Sequence, residues 1–372
     1  MRGETAMNEG GKFSTYEGIL FTTIIIVSKI FYTSTPIVVK QLGTAAWYGT
    51  LISCFATLIF FLLIYMLMNR FPGKNIVKVF EGVLGKFLGK ACGISLSAYI
   101  LYYASGSLRE FLEMIKVYNL PDTPPSIILI SFLAVILLMC YKGIESIVRI
   151  SCINFYPIML GLFIILVLAY PYYELGFLKP YLGYGIKKTL TVGVLRSSAY
   201  EEVTILPIII ASIHNMKDFK KIGVVSIILS GIVFGIAFLC YLMAFQYTMG
   251  RENLSGIFQI SRIIYFNRYI QRIESVFLFA WVISSLLTTA TALYASIRVY
   301  CQTFEIEEYR PMLLPFGFVL YVVSLMPKNI SQLIEIKLKF IRQYSIIITY
   351  GIPILVLIIA LIFRKGGKTN NE

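Results

Sequence analysis

About ten apolar stretches of roughly 20 residues each recur along the sequence, with polar connections between them. A run of that length is what an α-helix needs to cross the hydrocarbon core of a bilayer. A helix satisfies its own backbone hydrogen bonds, which lipid cannot do. The sequence therefore predicts an all-α membrane protein with about ten transmembrane helices. The predicted spans are residues 17–39, 47–68, 91–117, 126–141, 147–170, 189–213, 222–247, 273–299, 311–326 and 344–363.

Composition assigns the whole chain to the membrane. Of the 372 residues, 58% are hydrophobic and only 14% are charged, and no connection between spans is long enough to form a second domain. Residues 1–372 are therefore predicted to form a single integral membrane domain. The net charge of +14 comes from basic residues that punctuate the apolar segments, which indicates orientation in a membrane and argues against nucleic-acid binding.

Lysine and arginine residues in short connections indicate which side is cytoplasmic. Five basic residues follow the second span, between positions 70 and 90, and others follow the fourth, sixth and tenth spans. On the opposite side, the short connections at the ends of the first and third spans carry only Lys40 and Lys116. The tails are therefore predicted to be cytoplasmic, and they comprise residues 1–16 and 364–372.

Residues that usually form catalytic or metal sites are few and scattered. The six cysteines lie within or at the ends of apolar stretches without a CxxC pair, and His214 is the only histidine. The sequence contains no HExxH or GxxxxGK[ST] motif, and no serine–histidine–aspartate arrangement is indicated. We therefore expect free buried thiols, no metal ion, no cofactor and no enzymatic activity.

Two predicted spans are interrupted by charged and hydroxyl-bearing residues. In the first span the interruption runs from Ser28 to Pro36, and in the sixth it runs from Arg196 to Thr204, with Pro207 just beyond. Charges at bilayer depth are costly and usually face protein or a water-filled cavity. Both charged groups lie roughly 15–18 Å into their spans, near the midplane. Matching interruptions in two halves of a chain indicate a binding site formed by discontinuous helices.

The charges in these interruptions predict one cluster. Lys29 is expected to pair with Glu201 or Glu202, either as a structural ion pair or as part of a proton-linked step. The two glutamates are neighbours, so their side chains are expected to point about 100 degrees apart. Alternatively, both segments are kinked helices whose polar groups bond to neighbouring helices. The predicted ligand-binding residues are Ser28, Lys29, Tyr32, Thr33, Ser197, Ser198, Tyr200, Glu201 and Glu202.

A gate or ion path is a candidate role for polar residues in spans three and eight. The two oppositely charged residues of span three are four apart, so an intrahelical ion pair is the alternative. The hydroxyl stripe of span eight is of the kind that holds a sodium ion in inverted-repeat transporters, and the Lys29 ammonium is a candidate substitute. Alternatively, these hydroxyls bond to preceding carbonyls of their own helix. The candidate residues are Arg109, Glu113, Ser284, Ser285 and Thr288.

Three connections have patterns that predict local structure. Apolar residues between Ile76 and Leu88 share one helical face, which predicts a short amphipathic helix in the membrane interface. Residues 334–340 alternate in polarity with period two, so either a short strand or a flattened helix is expected. Residues 248–272 form either a lid over an outward-facing cavity or a solvated connector.

Four stretches stand out by their order and spacing: RFPGK at 70–74, KGIESIVR at 142–149, the glutamate pair at 201–202, and QRIESVFLFAWVISS at 271–285. Together with the length and the number of spans, they resemble the spore germination permease family, the B subunits of GerA-type nutrient germinant receptors. That family belongs to the amino acid–polyamine–organocation superfamily. The resemblance implies a LeuT-like fold of five-plus-five inverted repeats.

The same resemblance implies a location, partners and a role. It implies the inner membrane of the dormant spore, an A subunit with a large soluble domain, and a lipoprotein C subunit. It also implies that the chain senses small nutrients such as amino acids and triggers ion release. One departure concerns the ligand: superfamily members usually have glycines in the broken first helix, and this chain has none between Gly18 and Gly43. Either Lys29 and the neighbouring hydroxyls bind the ligand in their place, or the ligand is not an amino acid.

The predicted function is a membrane subunit of a spore nutrient germinant receptor. It is expected to bind a small nutrient, an amino acid by the resemblance, in a midplane pocket between spans one, three, six and eight. The expected partners are this nutrient, the A-type and C-type subunits and the lipid bilayer. The alternative function is a proton- or sodium-coupled amino acid transporter, and an ion pore gated by the same ligand is a third class.

Overall fold

The computed structural model describes residues 11–265 and 273–366. Most of both predicted tails, residues 1–10 and 367–372, and part of the connection 248–272, residues 266–272, lie outside this range. The α-helices in chain order are α1 (Thr15–Val27), α2 (Ser34–Leu42), α3 (Ala46–Arg70), α4 (Ile76–Leu84), α5 (Lys86–Tyr118), α6 (Pro125–Lys142), α7 (Ile144–Leu168), α8 (Ile186–Leu195), α9 (Met216–Ala244), α10 (Tyr247–Gly250), α11 (Gly256–Ile263), α12 (Glu274–Phe304), α13 (Leu313–Leu325), α14 (Ile330–Gln332), α15 (Lys339–Ile346) and α16 (Ile352–Ile362).

Short 3₁₀-helical and π-helical segments occupy several of the gaps between these α-helices. Two wider, π-type segments flank α15. The 3₁₀ segments are Ser28–Phe31, Gly43–Ala45, Tyr170–Tyr172, Leu175–Leu178, Arg196–Ile205, Ile210–Ser212 and Arg310–Met312, and the π-type segments are Leu333–Leu338 and Ile347–Gly351.

Every predicted span coincides with helical structure, which confirms the all-α membrane class. Within the described residues, six helical segments are long and apolar enough to cross a bilayer, and a shorter apolar helix covers Arg310–Leu325. The first and sixth predicted spans are the broken ones, and span three is the polar α5. The six segments are Ser34–Arg70, Pro125–Lys142, Ile144–Leu168, Met216–Ala244, Glu274–Phe304 and Tyr344–Ile362.

Long helices packed side by side form the core. Helix α12 lies along α5 and also contacts α6 and α7, while α9 lies along α1 and α3. Glycines allow these close approaches: Gly93 of α5 faces Thr303 of α12, and Gly223 of α9 faces the ring of Phe61 on α3. Small residues at helix contacts are typical of membrane proteins, where close backbone packing drives association. These packed helices support the two broken segments from both sides.

The predicted amphipathic helix is shorter than expected. It is α4, whose first turn is capped by the Asn75 side chain and which ends at Gly85, where φ is 87°. Its apolar face, including Phe80, is buried against protein, since α4 packs on α5 and α16. Phe87 and Leu88 belong to α5 and are 86% and 55% exposed, so their assignment to the same helical face is wrong. The left-handed conformation at Gly85 separates the two helices.

The two remaining connections contain helices within their described residues. Residues 334–340 lie in the helical run that leads into α15, so the strand alternative is wrong. The connection 248–272 contains α10 and α11, and α11 buries Ile257 and Phe258. The Ser255 hydroxyl before α11 donates to the carbonyl of Phe31 at 3.2 Å. This connection is therefore packed against the first broken segment.

Candidate functional site

The first broken segment changes direction at Tyr32. A 3₁₀ turn at Ser28–Phe31 follows α1, and Tyr32 is extended, with φ −95° and ψ −161°. The chain then begins α2, where Pro36 is the third residue. A proline in the first turn of a helix removes a donor that has no partner within that helix anyway. Pro36 therefore helps to start the second half-helix, and the break itself lies before it.

The second broken segment lies between α8 and α9. After α8 the chain makes 3₁₀ turns over Arg196–Ile205, and Tyr200 departs from helical geometry with φ −114° and ψ 15°. Backbone carbonyls in such a segment are available to partners outside their own helix. The carbonyls of Ser198 and Ala199 accept hydrogen bonds from the Lys29 ammonium at 3.1 and 3.2 Å. The two breaks therefore meet at Lys29.

Lys29 forms ion pairs with both glutamates, where the sequence predicts a pair with one or the other. Its ammonium nitrogen lies 2.9 Å from a Glu202 carboxylate oxygen and 3.5 Å from one of Glu201. The expected divergence of the two glutamate side chains is therefore not seen, since both carboxylates reach the same cation across the 3₁₀ turns. The Glu201 and Glu202 side chains are only 6% and 2% exposed.

Helix α5 supplies two phenol groups to this cluster. The Tyr99 hydroxyl donates to Glu201, and the Tyr103 hydroxyl, one turn along the helix, donates to Glu202. The Tyr103 ring also lies 5.4 Å from the Lys29 ammonium, within the range of a cation–π contact. Two acids, one cation and two phenols therefore form a network inside the membrane domain.

A cleft opens beside this network. It contains about 530 Å³ of empty space, part of it open to solvent. Glu110 borders it and accepts a hydrogen bond at 2.9 Å from the backbone N–H of Thr33, just before α2. The guanidinium of Arg196 also borders it and donates to Gln41 and Ser34 at 3.2 and 3.3 Å. The lining residues are Lys29, Tyr32, Ser34, Tyr103, Ser107, Glu110, Arg196, Ser198, Ala199, Glu201 and Ile341.

A second, smaller space lies on the other side of the glutamates. It has about 300 Å³ of empty volume. Glu201 and Tyr103 border both spaces, so the charged network separates them. The residues that line it are Tyr99, Ile100, Tyr103, Glu201, Glu202, Thr204, Ile205, Ala292 and Thr349.

Several of the predicted ligand-binding residues point elsewhere. The buried Tyr200 hydroxyl donates to the carbonyl of Thr50 at 3.2 Å, in the packing between this segment and α3. The Ser197 hydroxyl donates to the carbonyl of Val194. Ser28 accepts from Thr288 at 2.9 Å, away from the cleft lining. Of the predicted set, Lys29, Tyr32, Ser198 and Glu201 border the cleft.

The candidate gate residues do not join the charged cluster. Arg109 pairs with Glu113 at 2.5 Å and donates to the carbonyl of Ser324 on α13, which is the intrahelical alternative. The hydroxyls of span eight follow two patterns. Those of Ser284 and Ser285 donate to the carbonyl of Trp281, one turn earlier, whereas Thr288 bonds across to the first broken segment. The Lys29 ammonium bonds to the sixth span, and not to this stripe.

Sequence reasoning missed several residues of the site. It expected span eight at the pocket, whereas Ile341 of α15, which lies just before the predicted tenth span, borders the cleft. Four polar residues of α5 also border the cleft or the glutamates, and their spacing of four, four and three places them on one face of a helix. That polar stripe within an apolar span is a signal that could have found them. The four residues are Tyr99, Tyr103, Ser107 and Glu110.

The arrangement of broken helices is that of a known class of transporters. The chain superposes on a Na⁺-coupled sialic acid symporter with a TM-score of 0.66, at 11% identity, covering 95% of this chain and 81% of that one. It superposes on MhsT, solved in complex with L-phenylalanine, with a TM-score of 0.65 at 14% identity, covering 95% and 90%. These likenesses confirm the predicted LeuT-like five-plus-five inverted-repeat fold.

Sequence comparison identifies the family. Residues 12–333 match the spore germination protein family, and the chain belongs to it. Spore germination protein KB of Bacillus subtilis (strain 168) is 22% identical over 308 residues, which cover 81% of this chain and 82% of that protein. Spore germination protein YndE of the same organism is 23% identical over 338 residues, covering 87% and 88%. The chain is therefore an integral membrane protein of this family.

Proposed function

We propose that the chain is the membrane subunit of a spore nutrient germinant receptor, and that it binds a small nutrient, an amino acid, to trigger germination. The observation that carries this proposal is the cleft between the two broken helices, which brings acidic and basic groups together inside the membrane domain. Membership of the spore germination protein family supplies the biological context.

The chemistry of the cleft suits a zwitterion. A free amino acid needs an acceptor for its ammonium group and a donor for its carboxylate. Glu201 and Glu110 border the cleft as carboxylates, while Arg196 borders it as a guanidinium, the group best shaped to hold a carboxylate. Ser34 and Ser107 also line the cleft and carry hydroxyl groups.

Binding at this position can be converted into a signal. The cleft contacts α2, α5 and the segment after α8 at once, so a ligand there bridges elements that belong to different repeats. A ligand that binds one arrangement of these elements more tightly shifts the population toward it. We propose that A-type and C-type receptor subunits read this shift in the spore inner membrane, with both tails of the chain in the cytoplasm.

The second candidate is a proton- or sodium-coupled amino acid transporter. It is favoured by the fold, since the similar solved structures include a Na⁺-coupled symporter and MhsT with L-phenylalanine. The two candidates differ in a measurable way. Concentrative uptake of the nutrient by the purified chain in liposomes would support a transporter, whereas binding without uptake would support a receptor subunit.

The experiment that tests the proposed site uses Glu201→Gln and Lys29→Ala. We expect both variants to abolish the germination response of spores to the nutrient while the receptor complex still assembles. With purified protein, we expect an amino acid panel to stabilise Glu201→Gln with an at least tenfold loss of affinity, because a charge-assisted hydrogen bond contributes about 1.5–3 kcal/mol. We expect Lys29→Ala to lose affinity indirectly, because Glu201 and Glu202 lose the cation that holds them in place.

The control variant is Glu145→Gln, which removes an exposed carboxylate on α7. Glu145 pairs with Arg149 and does not line the cleft. It should respond to the nutrient like the wild type. A normal response in both Glu201→Gln and Lys29→Ala would refute the proposed site.

A further inference from the structure

The Lys29 ammonium is surrounded by oxygen atoms in the manner of a bound cation. Two of these atoms are backbone carbonyls of the broken segment, from Ser198 and Ala199. The others are carboxylate oxygens of Glu201 and Glu202, at 3.5 and 2.9 Å. Carbonyls of unwound helix segments and buried carboxylates are the ligands that hold monovalent cations at such breaks.

The hydrogen bonds of Lys29 leave its ammonium no donor for a nutrient. An ammonium group has three N–H donors. They are matched by three acceptors, which are the carbonyls of Ser198 and Ala199 and a carboxylate oxygen of Glu202 at 2.9 Å. Glu201, at 3.5 Å, adds charge attraction. Lys29 is thus held as a fixed cation, although its side chain retains 15% exposure to the cleft.

The position of these oxygens explains why a cation is needed there. Carbonyls near the end of a helix carry partial negative charge, and α8 ends three residues before Ser198. Two carboxylates add to this charge, and both are almost fully buried. Without a positive charge between them, the carboxylates and carbonyls would repel one another in a medium of low polarity.

We propose that the oxygen cage around Lys29 is a monovalent cation site that the protein fills with its own side chain. The ammonium of Lys29 is a tethered counterpart of a free alkali or alkylammonium ion. Removing the Lys29 side chain would therefore create a site that binds a free cation from solution. This proposal does not depend on the nutrient or on signalling.

The test compares two substitutions that remove the same charge. Lys29→Ala removes the ammonium and also vacates its space, so the oxygen cage is open to a free ion. Lys29→Met removes the ammonium but keeps an unbranched apolar side chain in that space. Thermal unfolding of each purified full-length protein is measured at constant ionic strength, with choline chloride replaced by potassium, sodium or methylammonium chloride.

We expect the unfolding temperature of Lys29→Ala to rise by about 3 °C or more in at least one of the small cations relative to choline. Methylammonium should be effective because it restores the N–H donors. The wild type and Lys29→Met should show no such difference. An equal rise in Lys29→Met or in the wild type would overturn the proposal, and so would the absence of any rise in Lys29→Ala.

Lys29→Ala leaves two carboxylates without their cation, so a second variant keeps the test valid if Lys29→Ala folds poorly. Lys29→Ala/Glu202→Gln has one carboxylate fewer and retains both carbonyls and Glu201. It should show the same cation preference, with a smaller rise. If it folds and no small cation stabilises it more than choline does, the oxygen cage is not a cation site.

Discussion

Buried charge sets the energetics of the site at the residue scale. Lys29, Glu201 and Glu202 lie close together at low exposure, so each depends on the others for its stability. Removing one partner of a buried ion pair typically costs about 3–5 kcal/mol, because the remaining charge is left uncompensated. Because one cation faces two acids, the hydrogen bonds from the Tyr99 and Tyr103 hydroxyls also help to stabilise the two carboxylates.

The Tyr103 hydroxyl provides a prediction at this scale. Tyr103→Phe keeps the ring near Lys29 but removes the donor to Glu202, which is buried. Glu202 keeps its pairing with Lys29 but loses a hydrogen bond to a charged group, which contributes about 1.5–3 kcal/mol, so the unfolding temperature of the purified protein should fall. The matched control is Tyr48→Phe, whose exposed hydroxyl donates to the carbonyl of Tyr181, because water can replace that bond. Equal stability of Tyr103→Phe and Tyr48→Phe would contradict a structural role for the buried phenol.

The pairing of Lys29 with the glutamates could be predicted from the sequence, and its other partners could not. Charges within apolar spans must find each other, so three such residues at one depth indicate a cluster. Glu110 and Tyr103 come from α5, and their place in the site depends on which face of α5 points inward. The polar stripe of α5 indicates which face points inward, but packing among several helices decides which partner each of its residues meets.

At the scale of elements, the prolines marked the breaks without giving their geometry. Pro36 lies in the first turn of α2 and Pro207 follows the 3₁₀ segment, so neither lies at the residue where the chain turns. The turning residues are Tyr32 and Tyr200, which are buried aromatic residues with no special backbone preference. Their conformation follows from the contacts around them, which explains why the breaks could be predicted only to within several residues.

Contact between α3 and α9 gives a prediction for a pair of elements. An added Cβ at Gly223 would lie 2.0 Å from the ring of Phe61, which is itself stacked on Phe219 at 5.5 Å. The Phe61 ring is fully buried and cannot move away easily, so Gly223→Ala should separate the helices. We expect a loss of about 1–3 kcal/mol in stability, seen as a lower unfolding temperature.

Gly82→Ala is the control for this substitution. Gly82 lies in α4, and nothing lies within 4 Å of an added Cβ there. Alanine favours a helix over glycine by up to about 1 kcal/mol, so this variant should be as stable as the wild type or more stable. If Gly223→Ala were equally stable, the close approach of α3 and α9 would be wrong.

At the scale of the whole molecule, the helical class and the place of the site followed from the sequence because their constraint is global, whereas the five-plus-five repeat came from the family resemblance. Apolar stretches long enough to cross a bilayer restrict the chain to helices, and two interrupted spans place the site between the halves. Two helices next to the site, α1 and α5, are not among the six long apolar segments. Helix α1 has only 13 residues because the first span is broken, whereas α5 is long and has polar residues within its span. Lys29 lies in the 3₁₀ turn directly after α1, and α5 supplies Tyr103 and Glu110.

Orientation in the membrane gives the last prediction. The connection between α3 and α5 contains several lysines, and short basic connections stay in the cytoplasm. Because the ten predicted spans are even in number, both termini should share that side. Epitope tags at either terminus should resist protease added to intact protoplasts of an expressing cell, whereas a tag inserted in the loop 179–185 should be cleaved. Cleavage of a terminal tag together with protection of the loop tag would contradict this orientation. The protein would then be inserted the other way across the bilayer, with both termini outside.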